Sequence, residues 1–337
     1  MNPSSANQSI DQVWQWLDQR RHLLLIAHER PDGDAFASVL GLFLALREAG
    51  KEAQAYFSVD SMPARYRPMF SRVGLEPGLC FAPDTPAING LDGLICLDTA
   101  NWERADLPSG MSQEMAEISC CNIDHHPDNS AYGQVNWIDE TYAATAQMVM
   151  AMLQCRGLKI SQECTTLLLT GLVADTGGFR FQNTDAKALR TAAAMLDDGA
   201  DYAAIVDTLY CNEPFNKMRL KAHLLENSVF AFDNRLLYAV MEPAMIEKLG
   251  LSPADTEDCI DILRVVAGVQ VACIVQPAED GVRFSLRSRR LPYNVAEMAR
   301  QLGGGGHPLA AGANMPKVGL KKALQRFMTV LERWFEK

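Results

Sequence analysis

At 337 residues the chain is long enough for two ordinary domains, and 48% apolar with 21% charged residues is the balance of a soluble protein with a sizeable core. A net charge of −10 argues against coating long nucleic acid through phosphate contacts, but not against a small phosphorylated substrate whose charge a metal cluster offsets locally. No apolar run approaches the ~20 residues of a membrane helix. The opening Met1-Asn2-Pro3-Ser4-Ser5 has no secretory pattern, and nine cysteines without a C-x-x-C pair read as free thiols of the cytoplasm rather than a disulfide framework or structural zinc site.

Ser9-Ile10-Asp11-Gln12 resembles a capping box, with Ile10, Val13, Trp14 and Leu17 following at helical spacing. Residues 23–27 form a continuous apolar run, the mark of a strand buried in a parallel sheet, and lead into His28-Glu29-Arg30-Pro31-Asp32-Gly33-Asp34. Residues 35–49 read as a buried helix closed by Gly50. Strand, polar loop and helix open a doubly wound α/β domain, whose sites lie beyond the carboxyl ends of its strands. The plain alternative is an Asp-Gly turn with Asp34 as helix cap.

Residues 94–97 are a second buried run and end at Asp98. A third, Ile118-Ser119-Cys120-Cys121, leads into Asn122-Ile123-Asp124-His125-His126-Pro127-Asp128-Asn129. Singly, these endings also read as turns. If the strand persists, alternation sends His125 and His126 to opposite faces. One ring then suits a metal, and Asp124 suits fixing the tautomer of an imidazole. A strand over 135–138 and helices over 145–155 and 161–174 follow, the last delivering Asp175 into Asp175-Thr176-Gly177-Gly178-Phe179. Helices over 185–196 and 202–210 precede a polar connecting helix over 213–227, with His223 at its surface.

The pattern divides into an α/β domain over 1–210, a linker helix over 211–228 and a smaller α+β domain over 229–337. The last has strands over 235–240, 270–275 and 282–287, a hairpin at Glu279-Asp280-Gly281, and helices over 252–266, 294–302 and 320–335. Within it, Gly303-Gly304-Gly305-Gly306-His307 runs into Pro308-Leu309-Ala310-Ala311-Gly312, read as a small-residue helix start. Such glycines suit a backbone close to a ligand, and their N–H groups can form an anion nest to which His307 and Arg287 add donors. The plain alternative is a flexible loop.

His28, Asp32, Asp34, Asp98, Asp124, His125, His126 and Asp175 thus collect at the ends of strands and helices. They are too many for one ion. A His and carboxylate set without cysteine suits Mn²⁺, Mg²⁺ or a related ion, and two such ions sharing a carboxylate suit water activation and in-line displacement at phosphorus.

His28 to Asp34, Asp124-His125-His126, Asp175-Thr176-Gly177 and Gly304-Gly305-Gly306-His307 occur in the order that resembles the DHH phosphoesterases with their C-terminal DHHA1 domain. The resemblance spans residue 28 to about 312. It is best to the oligoribonucleases (nanoRNases) that also remove the 3′-phosphate of adenosine 3′,5′-bisphosphate. It implies an active site in the cleft between the two domains. It further implies two divalent ions, Mn²⁺ first with Mg²⁺ or Co²⁺ as alternatives. His28, Asp32 and Asp175 would hold one ion, Asp34 and His125 the other, and Asp98 would bridge them. Asp124 would orient a histidine and His126 would contact the scissile phosphate, while Arg287, Ser288, Gly304, Gly305, Gly306 and His307 would grip the far end of the substrate. The implied partners are short single-stranded RNA or a small phosphorylated nucleotide, with no long duplex and no membrane, and with room for a homodimer. Gln147 stands where relatives often carry Glu, and Arg104 resembles a recurring arginine. The competing readings are a cyclic or linear dinucleotide phosphodiesterase and a catalytically inactive nucleotide-binding regulator.

Overall fold

The computed structural model describes residues 7–58, 66, 69, 90–108 and 112–335; the polar opening Met1 to Ser5 lies outside them. The chain forms two compact units that divide between Asn212 and Glu213.

In the first unit, β1 (His22–Ile26), β2 (Glu52–Ala55), β3 (Gly93–Leu97), β4 (Cys120–Asp124) and β5 (Val135–Ile138) form a sheet in the order β2-β1-β3-β4-β5, parallel throughout. The helices are α1 (Ile10–Asp18), α2 (Gly33–Glu48), α3 (Ser112–Glu117), α4 (Thr145–Cys155), α5 (Gln162–Asp175), α6 (Ala186–Asp197) and α7 (Tyr202–Val206), the last running into a π-helical turn over Asp207–Cys211. The alternation of a strand explains the layering. Leu23, Leu25, Ile95, Leu97, Cys121 and Ile123 face the core built with α1, α2, α4 and α5. Leu24, Ile26, Leu94, Cys96 and Cys120 face a smaller cluster with Tyr56, Ala105 and Met115 of α3. Ser9 and Gln12 close the expected capping box on α1. The cap of α2 is Asp32, whose carboxylate accepts the N–H groups of Asp34 and Ala35; Asp34 is not a cap but sits inside the first turn, fully buried.

The second unit contains α8 (Phe215–Glu226), β6 (Val229–Ala231), β7 (Leu236–Val240), α9 (Pro243–Lys248), a 3₁₀ helix (Pro253–Ile260) running into α10 (Asp261–Arg264), β8 (Val271–Ala278), β9 (Gly281–Ser288), α11 (Val295–Gln301), β10 (Gly305–His307), β11 (Ala310–Pro316) and α12 (Leu320–Phe335). Its strands lie in the order β10-β11-β9-β8-β7-β6, with β7 and β8 parallel and the other neighbours antiparallel. α11 and α12 cover one face through Val295, Met298, Phe327 and Leu331. Leu220 and Leu224 of α8, Ile246 of α9 and Leu263 of α10 cover the other.

Three expectations are corrected here. The helix read over 213–227 is packed into this unit; its buried Lys217 looks polar in sequence but pairs with Asp258 at 2.6 Å and Glu213 at 3.2 Å. The helix read over 252–266 is mostly 3₁₀, held at its start by Ser252 and Asp255. The small-residue helix start after His307 is the strand β11, with Ala311, Ala313 and Met315 turned into the core. Among the described residues no helix is long and apolar enough to cross a membrane.

Candidate metal centre

The sheet order of the first unit reverses between β1 and β3, and in open α/β sheets a ligand site forms at such a switch point, beyond the carboxyl ends of the strands. Just past β1, residue 28 bridges Ala105, while Glu29 N–H donates to the Arg104 carbonyl at 2.7 Å. Arg104 thus works here through its backbone, and its side chain is exposed. His28 Nδ1 lies 2.8 Å from the Glu29 carbonyl. A carbonyl only accepts, so Nδ1 carries the proton and Nε2 keeps its lone pair. That Nε2 is 3.9 Å from Asp98 Oδ2.

Asp98 closes β3 in a left-handed conformation, φ 52°, a turn that costs a non-glycine residue about 1–2 kcal/mol and that Asp tolerates better than most. β4 ends at Asp124, so alternation does not govern the pair that follows. Contrary to the expectation of opposite faces, both rings approach Asp98 Oδ1, His125 Nε2 at 3.6 Å and His126 Nδ1 at 3.4 Å, edge to face with centroids 4.9 Å apart. His125 Nδ1 faces the Tyr142 carbonyl at 3.3 Å, which again leaves Nε2 as the ligand atom. His126 Nδ1 donates to Asp124 Oδ1 at 2.6 Å.

The ligand atoms gather in three overlapping groups, each within 4.8 Å: His28 with Asp32 and Asp98, Asp34 with His125 and Asp175, and Asp98 with His125 and His126. Asp98 is common to two of them. Asp175 lies apart from the grouping that the resemblance implies. It stands with Asp34 and His125, 3.7 Å from His125 Nε2, rather than with His28 and Asp32. Its position follows from the packing of α5 on α2, which sequence spacing does not reveal.

The electrostatics fit divalent ions. Burial, reinforced by Asp98, Asp175 and Asp32, pushes Asp34 well above the usual carboxylate range. Burial also raises Asp98, with Asp32 and Asp124 behind it and His126 and His125 opposing. Asp175 is lifted to about 6, by burial and then by Asp32 and Asp98 against the two histidines. Carboxylates that crowd one another out of water call for a cation between them. His126 goes the other way. Burial disfavours its charge, but the Asp124 hydrogen bond and the charges of Asp98, Asp124 and Asp175 outweigh it and push the imidazole up to about 10.

Sequence reading missed the groups that hold this set in place. The first N–H groups of α4 cap Asp34: Thr145 N–H to Oδ2 at 2.6 Å and Ala146 N–H to Oδ1 at 2.9 Å. The Thr145 hydroxyl reaches Asp98 Oδ1 at 3.0 Å. The missing signal was Ala144 at the N-cap, which offers no side-chain cap and leaves the helix end to an anion from elsewhere. Asn129 donates to Asp124 Oδ2 at 2.6 Å, and Asn183 to the Asp175 carboxylate at 3.3 Å. Gln147 is a packing residue, accepting from Ala143 N–H and donating to Thr191.

In the second unit the pairing register puts His307 opposite Ala310, and Ala310 opposite Arg287, so His307 and Arg287 share one sheet face. Ser288 is buried on the other face, its hydroxyl tied to the Arg290 carbonyl at 3.0 Å, and is not brought to them. The glycines differ in what fixes them. A Cβ on Gly304 would strike the β11 backbone, Gly306 has φ 129°, and Gly305 faces open space.

A switch-point cluster of His and Asp side chains around a buried shared carboxylate, with a further histidine beside it, suits a divalent-metal-dependent hydrolase of phosphoric esters. Residues 22–172 match the DHH family N-terminal domain and residues 233–337 the DHHA1 domain; the chain belongs to the DHH family of phosphoesterases. It is 34% identical over 307 residues to the bifunctional oligoribonuclease and PAP phosphatase NrnA of Thermus thermophilus, covering 91% of this chain and 88% of that protein. It is 28% identical over 304 residues to the protein of the same name from Bacillus subtilis, covering 87% and 89%. The fold is similar to a solved exopolyphosphatase-related protein from Bacteroides fragilis, with TM-score 0.84 and 22% identity over all of this chain and 99% of that one.

Proposed function

We propose that this phosphoesterase hydrolyses short single-stranded oligoribonucleotides to mononucleotides and adenosine 3′,5′-bisphosphate to AMP, with two Mn²⁺ ions. The observation that carries the reading is the pair of candidate ligand groups flanking Asp98, with His126 held beside them by Asp124; the two NrnA relatives support the substrate class. His28, Asp32 and Asp98 would hold one ion, and Asp34, Asp98, His125 and Asp175 the other. Two ions in such a site supply a nucleophile at neutral pH and offset charge on the phosphoryl oxygens.

The chain's own residues do the rest. Glu29 and Tyr142 carbonyls hold the protons of His28 and His125 on Nδ1, and α4 fixes Asp34. Asp124, itself held by Asn129, orients the His126 ring toward the phosphate, where its interaction strengthens as negative charge develops on the phosphoryl oxygens in the transition state. In the second unit Arg287 and His307 share one sheet face and are its candidate donors to a phosphate, with the Gly304–Gly306 backbone beside them. Free thiols at all eight described cysteines support the cytoplasm as its place.

The test is a panel of di- to pentaribonucleotides, adenosine 3′,5′-bisphosphate and cyclic dinucleotides with Mn²⁺. Release of mononucleotides and AMP, stopped by a chelator and restored by Mn²⁺, is expected. Cleavage of cyclic dinucleotides alone would overturn the substrate assignment.

A further inference from the structure

The turn that leaves Asp175 is built at a cost that the metal centre does not explain. Gly177, Gly178 and Phe179 are three consecutive left-handed residues, at φ 58°, 69° and 62°. Two glycines take that conformation freely, but Phe179 does not, and such strain concentrates at functional sites. Buried Thr176 ties the turn down. Its hydroxyl accepts Phe179 N–H at 3.2 Å, and its carbonyl accepts the N–H groups of Arg180 and Phe181 at 3.0 Å each.

What the turn presents is Arg180. The side chain is exposed, its Nε donates to the Gly177 carbonyl, and its guanidinium lies over the Tyr210 ring, 5.3 Å from the centroid. Tyr210 belongs to the π-helical turn after α7, and its hydroxyl donates to the Val173 carbonyl at 3.2 Å, two residues before Asp175. Both halves of this stack are therefore pinned to the end of α5 that carries Asp175. Among the described residues Nη1 and Nη2 of Arg180 have no protein partner, and Arg180 forms no ion pair. In a chain of net charge −10, beside a centre crowded with carboxylates, this guanidinium is held out of ion pairs and aimed at solvent. A planar, pre-positioned fork of free N–H groups is the geometry that takes a phosphate.

We propose that Arg180, backed by Tyr210, binds the phosphodiester next to the scissile one in an oligoribonucleotide. The inference rests on the oligoribonuclease reading and deepens it. The contact exists only in substrates with more than one phosphodiester, so Arg180 sets the preference for length. ApA contains the scissile phosphate alone, and ApApA adds one more.

The experiment compares kcat/KM on ApA and ApApA for the wild type, Arg180→Gln, Arg180→Lys and Tyr210→Ala, with bound Mn²⁺ measured in each. The expected result is that Arg180→Gln lowers the ApApA-to-ApA ratio roughly tenfold, the worth of a charge-assisted hydrogen bond. The loss should appear mainly in KM with Mn²⁺ content retained. Arg180→Lys, which keeps the charge and loses the fork, should fall between, and Tyr210→Ala should move the ratio in the same direction. Equal losses on both substrates, or none on either, would overturn the inference while leaving the oligoribonuclease reading intact. A wild type that cleaves neither overturns that reading and the inference with it.

Discussion

Asp98 joins a strained backbone, a buried carboxylate and contacts to three histidines in one residue, 3.9 Å from His28 Nε2, 3.6 Å from His125 Nε2 and 3.4 Å from His126 Nδ1. Without cations the set opposes its own folding. Asp34, Asp98 and Asp175 titrate above the ordinary carboxylate value of about 4. Between about pH 4 and 6 the folded state therefore binds more protons than the unfolded state, and stability falls as pH rises. His126 adds to the trend: its contribution is complete below about 6.5 and is lost as pH rises toward its folded value of about 10. Asp124 is lowered, so its contribution is lost only in acid, below this window. The chelator-treated protein should melt at a lower temperature at pH 8 than at pH 5, and Mn²⁺ should raise the melting temperature more at pH 8. Calorimetry at both pH values checks this, and an apo-protein that gains stability from pH 5 to pH 8 would contradict it. The candidate ligands were legible as residues because most of them stand at or just past the end of a strongly periodic run, with Asp32 and Asp34 at the start of the next. Thr145, Asn129 and Asn183 were not, since Thr and Asn at helix starts and turns are ordinary and only the fold shows what they touch.

At the scale of elements, the crossing of α2 and α5 builds the second ligand group. Gly171 lets the helices approach so closely that a Cβ there would lie 2.6 Å from the Ala146 Cβ and 2.8 Å from Asp34 Oδ1. Gly171→Ala should therefore cost about 1–3 kcal/mol by overpacking. It should also weaken Mn²⁺ binding, because the atom displaced is a ligand. Urea unfolding with a Mn²⁺ titration measures both, and an unchanged affinity would separate this packing from the site. The grouping of Asp175 was invisible in sequence for the same reason, as it depends on how two helices cross. β11 was invisible on propensity: Ala, Gly, Asn and Pro are poor strand formers, and period-two burial of small side chains leaves little hydrophobic contrast. The apolar strands over 23–27, 94–97 and 135–138 and the hairpin between β8 and β9 carried their pattern openly and form within a residue of the expected ranges, while the apolar run over 118–121 enters its strand only at Cys120 and continues to Asp124.

Over the whole molecule, one topological feature decides where the chemistry sits. The reversal of strand order between β1 and β3 opens the sheet at the ends that carry His28, Asp32 and Asp98, and β4 and α5 deliver the remaining ligands to the same edge. The α/β class was legible from strand, loop and helix in succession, and its consequence for the site followed from topology. The most direct measurement is a calorimetric titration of Mn²⁺ into the chelator-treated protein, run beside Asp98→Ala and followed by hydrolysis of a diribonucleotide. Two ions per wild-type chain are expected, with fewer bound and hydrolysis abolished in Asp98→Ala while its fold persists by circular dichroism. A variant that keeps two ions and near-normal turnover, or a wild type that cleaves the substrate with no metal bound, would contradict a centre joined through Asp98.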